Sequence, residues 1–184
     1  MAKLFFLIAV FVLSSSYTPR IGDVIDSFNG VSVFYNGNNF AKVHGRNTTK
    51  DGYNVGLKFQ CVEFIKRYYL KVFNHKMPDA SGNAKDLFDN NLDDIGFNSI
   101  RGLMQFRNVR YEKPKVNDIL VYGPRQGNPF GHVAIITKVT DSEIEFIQQN
   151  IGLKSRQKLK LSVFQGIYNI VDYDILGWLR MPSK

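Results

Sequence analysis

Cysteine is almost missing from this 184-residue chain, which has one, Cys61. A single thiol excludes any internal disulfide, so the fold has to hold through its core. Histidine is nearly as scarce, at three. The chain has no Cys/His/Asp/Glu set at metal-ligand spacing and no phosphate- or dinucleotide-cradling glycine loop, so it calls for no metal and no cofactor. Internal repeats and low-complexity tracts are lacking as well, which points to one globular domain. The longest apolar run, Leu4 to Leu13, falls short of the roughly 20 residues that a membrane-spanning helix needs. Lys and Arg exceed Asp and Glu to give a formal charge of +8, but they are dispersed and accompany no nucleic-acid-binding motif, so nucleic acid is not the expected partner. A dispersed basic field favours anionic surfaces and polymers.

What is present begins with Met1-Ala2-Lys3, the apolar run and Ser14-Ser15-Ser16. These are the basic, apolar and small-residue parts of a secretory signal peptide. Residues 1–16 are therefore expected to be a leader and 17–184 the domain, secreted or periplasmic, with no stable membrane span after cleavage. Retention as an uncleaved anchor is the alternative. Removing Lys3 with the leader lowers the charge of +8 by one, and the domain stays basic.

Along the chain, Asn29-Gly30 marks a turn within a short extended segment. Residues 36–56, rich in Gly, Asn and Thr, read as a long loop in which Gly56 supplies a turn toward Cys61. Asn47-Thr48-Thr49 matches a glycosylation sequon, relevant only in a eukaryotic secretory route. Short helices are expected over 84–92 and 100–106. From Val116 the texture turns to strands over 118–122, 131–139 and 143–149, then around 163–170 and 175–180, the first three in an antiparallel meander. Helices first and strands afterwards predict an α+β domain with its helices on one face of an antiparallel sheet.

Cys61 stands where loop becomes helix. Val62, Ile65, Tyr69 and Val72 fall on one helical face, with Glu63, Lys66, Arg67 and Lys71 on another. The helix is expected to end at Asn74, with Pro78 forbidding continuation. In the first turn, unpaired N–H groups and the helix dipole favour a thiolate. Position alone leaves two readings, a nucleophile or a small buried hydrophobe. His75 reads as a residue of the helix C-terminus and His44 as a surface residue. His132 opens the longest apolar strand after Gly131, where a base can face a helix N-terminus. A thiol needs such a base, and the base needs a third group to fix its tautomer. The side-chain oxygen of Gln148 can serve, whereas Glu145 points to the other face of its strand.

Four motifs then resemble one family. Gln60-Cys61-Val62-Glu63-Phe64, Gly131-His132-Val133-Ala134-Ile135-Ile136-Thr137, Gln148-Gln149-Asn150 and Ile175-Leu176-Gly177-Trp178 are similar to the motifs of CHAP domains, the cysteine- and histidine-dependent amidohydrolases and peptidases of papain-like fold. Within that family the resemblance extends to the amidase domain of glutathionylspermidine synthetase/amidase, including Asp51-Gly52-Tyr53, and covers roughly 29–179. It implies Cys61 as nucleophile, His132 as base and then acid, Gln60 as an oxyanion donor through its side-chain amide, and Asn150 as polar support. The family usually has Glu where this chain has Gln148; a neutral amide still orients the ring but stabilises imidazolium less. The implied activity is amide hydrolysis through an acyl-thioester. Export and positive charge point to peptidoglycan as substrate. The alternatives are a glutathionylspermidine-type peptide amide, or a binding module without turnover.

Overall fold

The computed structural model describes residues 18–183; the expected leader, 1–16, lies outside them. The chain enters through β1 (Val24–Phe28) and β2 (Val31–Phe34), a hairpin closed by Asn29 and Gly30, both at positive φ. That backbone twist is the one two-residue hairpin turns require. The stretch expected to be one long loop holds a second hairpin, β3 (Arg46–Thr48) with β4 (Asn54–Leu57). Three- and four-residue strands are too short for alternation to register in the sequence. Gly56 is not a turn residue but part of β4, at φ 136°, where an added Cβ would lie 3.1 Å from Cα of Glu63. Its function is to let β4 approach the helix.

That helix, α1, spans Cys61–Phe73. It ends as expected, with Asn74 in the left-handed conformation and its N–H on the Tyr69 carbonyl. Its buried face is Cys61, Phe64, Ile65, Tyr68 and Tyr69, but Glu63 and Lys66 are equally buried. The polar stripe is thus not a solvated face, and Val62 and Val72 are only partly covered.

The expected helices over 84–92 and 100–106 are absent. Lys85–Leu87 makes one 3-10 turn, and the rest forms a hairpin of β5 (Ile95–Asn98) and β6 (Leu103–Arg107). Leu103 and Phe106 enter different apolar clusters, an alternation of the strand kind. Gly102, at φ 66°, turns the chain where a helix would need an ordinary residue. The remaining strands are β7 (Ile119–Tyr122), β8 (His132–Val139), β9 (Glu143–Ile147), β10 (Arg156–Phe164), β11 (Ile167–Ile170) and β12 (Ile175–Arg180). The large sheet runs β11-β10-β9-β8-β7-β12-β6-β5, and every pairing is antiparallel. Beyond β6, Arg110 exchanges both backbone hydrogen bonds with Tyr168 of β11, so the sheet curls toward a barrel.

Period-2 alternation then serves two cores. Ile119, Val121, Val133, Ile135, Ile147 and Leu179 pack with α1. Leu120, Ala134, Ile136, Phe146 and Trp178 fill the concave interior with Phe106. With both faces covered, the strands read as continuous apolar runs, and the architecture is a single α+β, papain-like domain with one α-helix among the described residues.

Candidate active site

Cys61 at the start of α1 and His132 at the start of β8 line one cleft of about 1170 Å³. Its walls are the 40–43 loop, β3 and β4, residues 80–84 and the 125–131 loop. Gly131 delivers His132 to the site: at φ 74° its missing Cβ would sit 2.5 Å from the Tyr122 carbonyl. The Cys61 sulfur lies beside the backbone N–H of Val133, next in chain to His132, and beside those of Val62 and Cys61 itself. These three dipoles favour a thiolate, but burial outweighs them and pushes the thiol up to about 11. The lowered thiol pKa expected of a helix N-terminus is therefore corrected: desolvation wins over the dipole.

His132 Nε2 lies 2.9 Å from Oε1 of Gln148. The Gln148 amide nitrogen donates to the Lys154 carbonyl at 3.0 Å and to Gln157 Oε1 at 2.9 Å, which fixes its oxygen toward the ring. A carbonyl oxygen can only accept, so Nε2 carries the hydrogen and Nδ1 is the basic nitrogen. Burial pushes His132 down to about 4, the Gln148 bond opposing and Arg125 adding to the shift. The resting pair is a neutral thiol and a neutral imidazole.

Gln60 caps α1 without a side-chain cap bond. Its Nε2 donates to the carbonyls of Phe40 at 3.1 Å and Lys42 at 3.0 Å, and its Oε1 accepts from Asn150 at 2.6 Å. Both amide hydrogens are engaged, so the side chain offers an oxyanion no free donor. Its place is that of a latch on the 40–42 loop. Asn150, at φ 71°, also donates to the Phe40 carbonyl at 3.0 Å and accepts from Asn36 at 2.7 Å. It braces the cleft wall.

Sequence reading missed Gln149, which is buried and joins three elements. Its Nε2 donates to the Gln60 carbonyl and to Glu63 Oε2, both at 3.0 Å, and its Oε1 accepts the Phe34 N–H at 2.8 Å. Glu63 in turn pairs with Arg67 at 2.8 Å and accepts Asn47 Nδ2 at 2.9 Å. Glu63 and Arg67 stand four apart on α1, a spacing that carried the signal. The sequon Asn47 is thus occupied internally. Glu145 bonds Thr137 and Arg156, away from His132. His75 holds the Arg101 carbonyl at 2.8 Å. His44 is not a free surface residue, since its ring packs on Phe59.

The CHAP domain model matches residues 49–150, more than half of the chain. The chain belongs to the CHAP domain family. That places it among hydrolases of the cysteine amidase and peptidase class. Trypanothione synthetase of Crithidia fasciculata is 28% identical over 152 residues, 76% of this chain and 23% of that protein. The bifunctional glutathionylspermidine synthetase/amidase of Escherichia coli (strain K12) is 30% identical over 140 residues, 68% of this chain and 22% of that protein. This CHAP chain therefore spans about a quarter of the length of those relatives. Among solved structures, the endolysin LysIME-EF1 aligns with a TM-score of 0.42 at 18% identity, covering 77% of this chain and 60% of that one. Among the described residues of this CHAP domain, no helix is long and apolar enough to cross a membrane.

Proposed function

We propose that this CHAP domain is an exported thiol hydrolase that cleaves an amide bond in peptidoglycan peptides through an acyl-thioester on Cys61. The observation that carries the reading is the pairing of His132 Nε2 with Gln148 on the cleft that Cys61 lines, because it leaves Nδ1 as a base. With thiol and imidazole both neutral, proton transfer accompanies attack rather than preceding it. Nδ1 takes the thiol proton as sulfur bonds to the carbonyl carbon. The N–H groups at the start of α1 receive the developing oxyanion. The imidazolium returns its proton to the leaving nitrogen as the C–N bond breaks. Water, activated by the same Nδ1, then releases the acyl group and frees Cys61. Gln148 holds the ring throughout without acquiring charge.

Export is supported by the composition of residues 1–16 and peptidoglycan by the basic surface. N-terminal sequencing of exported protein, expected to begin near Tyr17, tests the former. Digestion of purified cell walls, with mass spectrometry of the fragments, tests the latter: new amine and carboxyl ends at one peptide position are expected with the native protein and none with Cys61→Ala. Intact walls after prolonged digestion would overturn the peptidoglycan assignment. Likeness to the glutathionylspermidine and trypanothione enzymes favours a second reading, hydrolysis of a peptide–polyamine amide, which the same assay with glutathionylspermidine separates.

A further inference from the structure

The charges around the cleft are one-sided. Arg46, Lys66 and Arg125 line it, and no Asp or Glu does. Arg46 bonds the neutral Asn54 Oδ1 at 2.8 Å and makes no ion pair among the described residues. Lys66, 1% exposed, spends its bonds on the backbone carbonyls of Asn54 and of Ala80, the latter at 2.8 Å. A buried ammonium with no carboxylate bonded to it directly is unfavourable. Asn54 thus gathers two cations into one corner. The other corner is Arg125, on the loop before His132 and 3.7 Å from Asp174, an exposed and loose pair. The carboxylates that act on Lys66 do so only through space: Asp79 accepts the Ser81 N–H, and Glu63 is paired with Arg67 at 2.8 Å. Burial and the nearby Arg101 and Arg46 lower Lys66 to about 8, against the opposing charges of Asp79 and Glu63, and an arriving anion would reverse that shift.

We propose that the cleft recognises peptides carrying free carboxylates on both sides of the amide presented to Cys61. Arg46 with Lys66 receives one and Arg125 the other, and amides of polyamines are rejected. This deepens the hydrolase reading, on which the scissile amide rests, but carboxylate binding stands apart from turnover. A polyamine leaving group would bring like charge to a cleft without an acidic partner. The selectivity therefore runs opposite to hydrolysis of a peptide–polyamine amide.

The test uses Cys61→Ala protein, so that nothing is consumed, and calorimetry with one short γ-glutamyl peptide. The peptide is made with its glutamyl α-carboxylate free or amidated, with its C-terminal carboxylate free or amidated, and as its spermidine amide. Each amidation is expected to weaken binding about tenfold, the scale of one lost charge-assisted contact, with the spermidine amide weakest. Arg46→Gln should erase sensitivity to one carboxylate and Arg125→Gln to the other; both residues are exposed, so the fold is spared. Equal affinity for carboxylates and amides, tightest binding of the spermidine amide, or no binding of any member would overturn the proposal. Carboxylate-dependent binding together with an inert wild-type protein would remove the hydrolase reading and leave this one standing.

Discussion

The two cores of this domain are built from different materials. Inside the curled sheet, Trp178 stacks on Phe106 and packs with Leu120, Ile136 and Phe146, apolar but for the Trp178 indole N–H, which has no hydrogen-bond partner there. On the opposite face, where α1 meets β8 and the end of β9, the buried set includes Glu63, Lys66, Gln148 and Gln149. Burying polar groups is costly unless each is bonded, and here nearly every one is. The concave core stabilises the sheet; the helix face spends stability on holding Cys61, His132 and Gln148 in place. The two should therefore answer to mutation differently, one in stability and the other in rate.

The largest effect expected is from Cys61→Ala and His132→Ala, each taking hydrolysis to background, with a loss of about 10⁴-fold or more and little change in melting temperature. The double variant should be no slower than either single one, since members of a catalytic unit are not additive. A wall-digestion assay beside thermal melts reads both; an active Cys61→Ala protein would end the comparison on its rate side.

Gln148→Ala comes next. It removes the acceptor of the Nε2 hydrogen and should cost roughly 10–100-fold, less than loss of the base itself. Gln148→Glu sharpens the point. A negative charge beside the ring raises the His132 pKa from its depressed value, so the acid limb of the rate profile moves to higher pH. It also sets a carboxylate oxygen against the Lys154 carbonyl, which cannot turn, and against Gln157, whose amide can. Alkylation of Cys61 followed against pH in the three proteins checks this. Superimposable curves would mean that Gln148 does not govern the ring.

Trp178→Ala probes the other core. Emptying that site should cost about 3–5 kcal/mol in denaturant unfolding, while the rate per folded molecule stays near wild type. A rate loss exceeding the folded fraction would show the cores to be coupled.

A further effect lies in the pH dependence of stability. His132 is held near 4 against an ordinary 6.5, so between those values the unfolded chain binds the extra proton. Stability is complete above about pH 6.5 and is lost as pH falls toward 4, on the order of 3 kcal/mol. Cys61, raised from 9.0 to about 11, acts at the other end, where the unfolded chain gives up its proton first and stability declines as pH rises from 9 to 11. Cys61→Ala should flatten the alkaline limb and His132→Ala the acid one, with the limbs read from melting temperatures across pH.

Much of the frame was legible in the chain. The strands over 118–147 and 175–180 announce themselves because both their faces are buried, and the end of α1 because Asn74 caps it and Pro78 follows. Cys61, His132 and Gln148 were legible as residue types at element boundaries; Cys61 and His132 line one cleft, and Gln148 meets it through its bond to His132 Nε2. The β5–β6 hairpin was not, because its inward polar residue Gln105 bonds Asp89 and Asn98, a reason for burial that appears only in three dimensions. The double engagement of Gln60 was hidden likewise, since its acceptors are backbone carbonyls. The direction of the Cys61 pKa is not legible in the chain, because a local dipole is visible in sequence and desolvation is not.

The bond from Asn47 to Glu63 has a practical consequence for producing the protein. Residues 47–49 form a sequon, and oligosaccharide transfer acts on a nascent chain before β3 can settle against α1. A eukaryotic secretory host that modified Asn47 would place a saccharide at a half-buried seam and take the side chain from the carboxylate it serves. The nucleophile helix would then lose its anchor to β3 in material of correct sequence and intact cysteine. Expression in such a host calls for Thr49→Ala, which removes the sequon and leaves Asn47 free to reach Glu63.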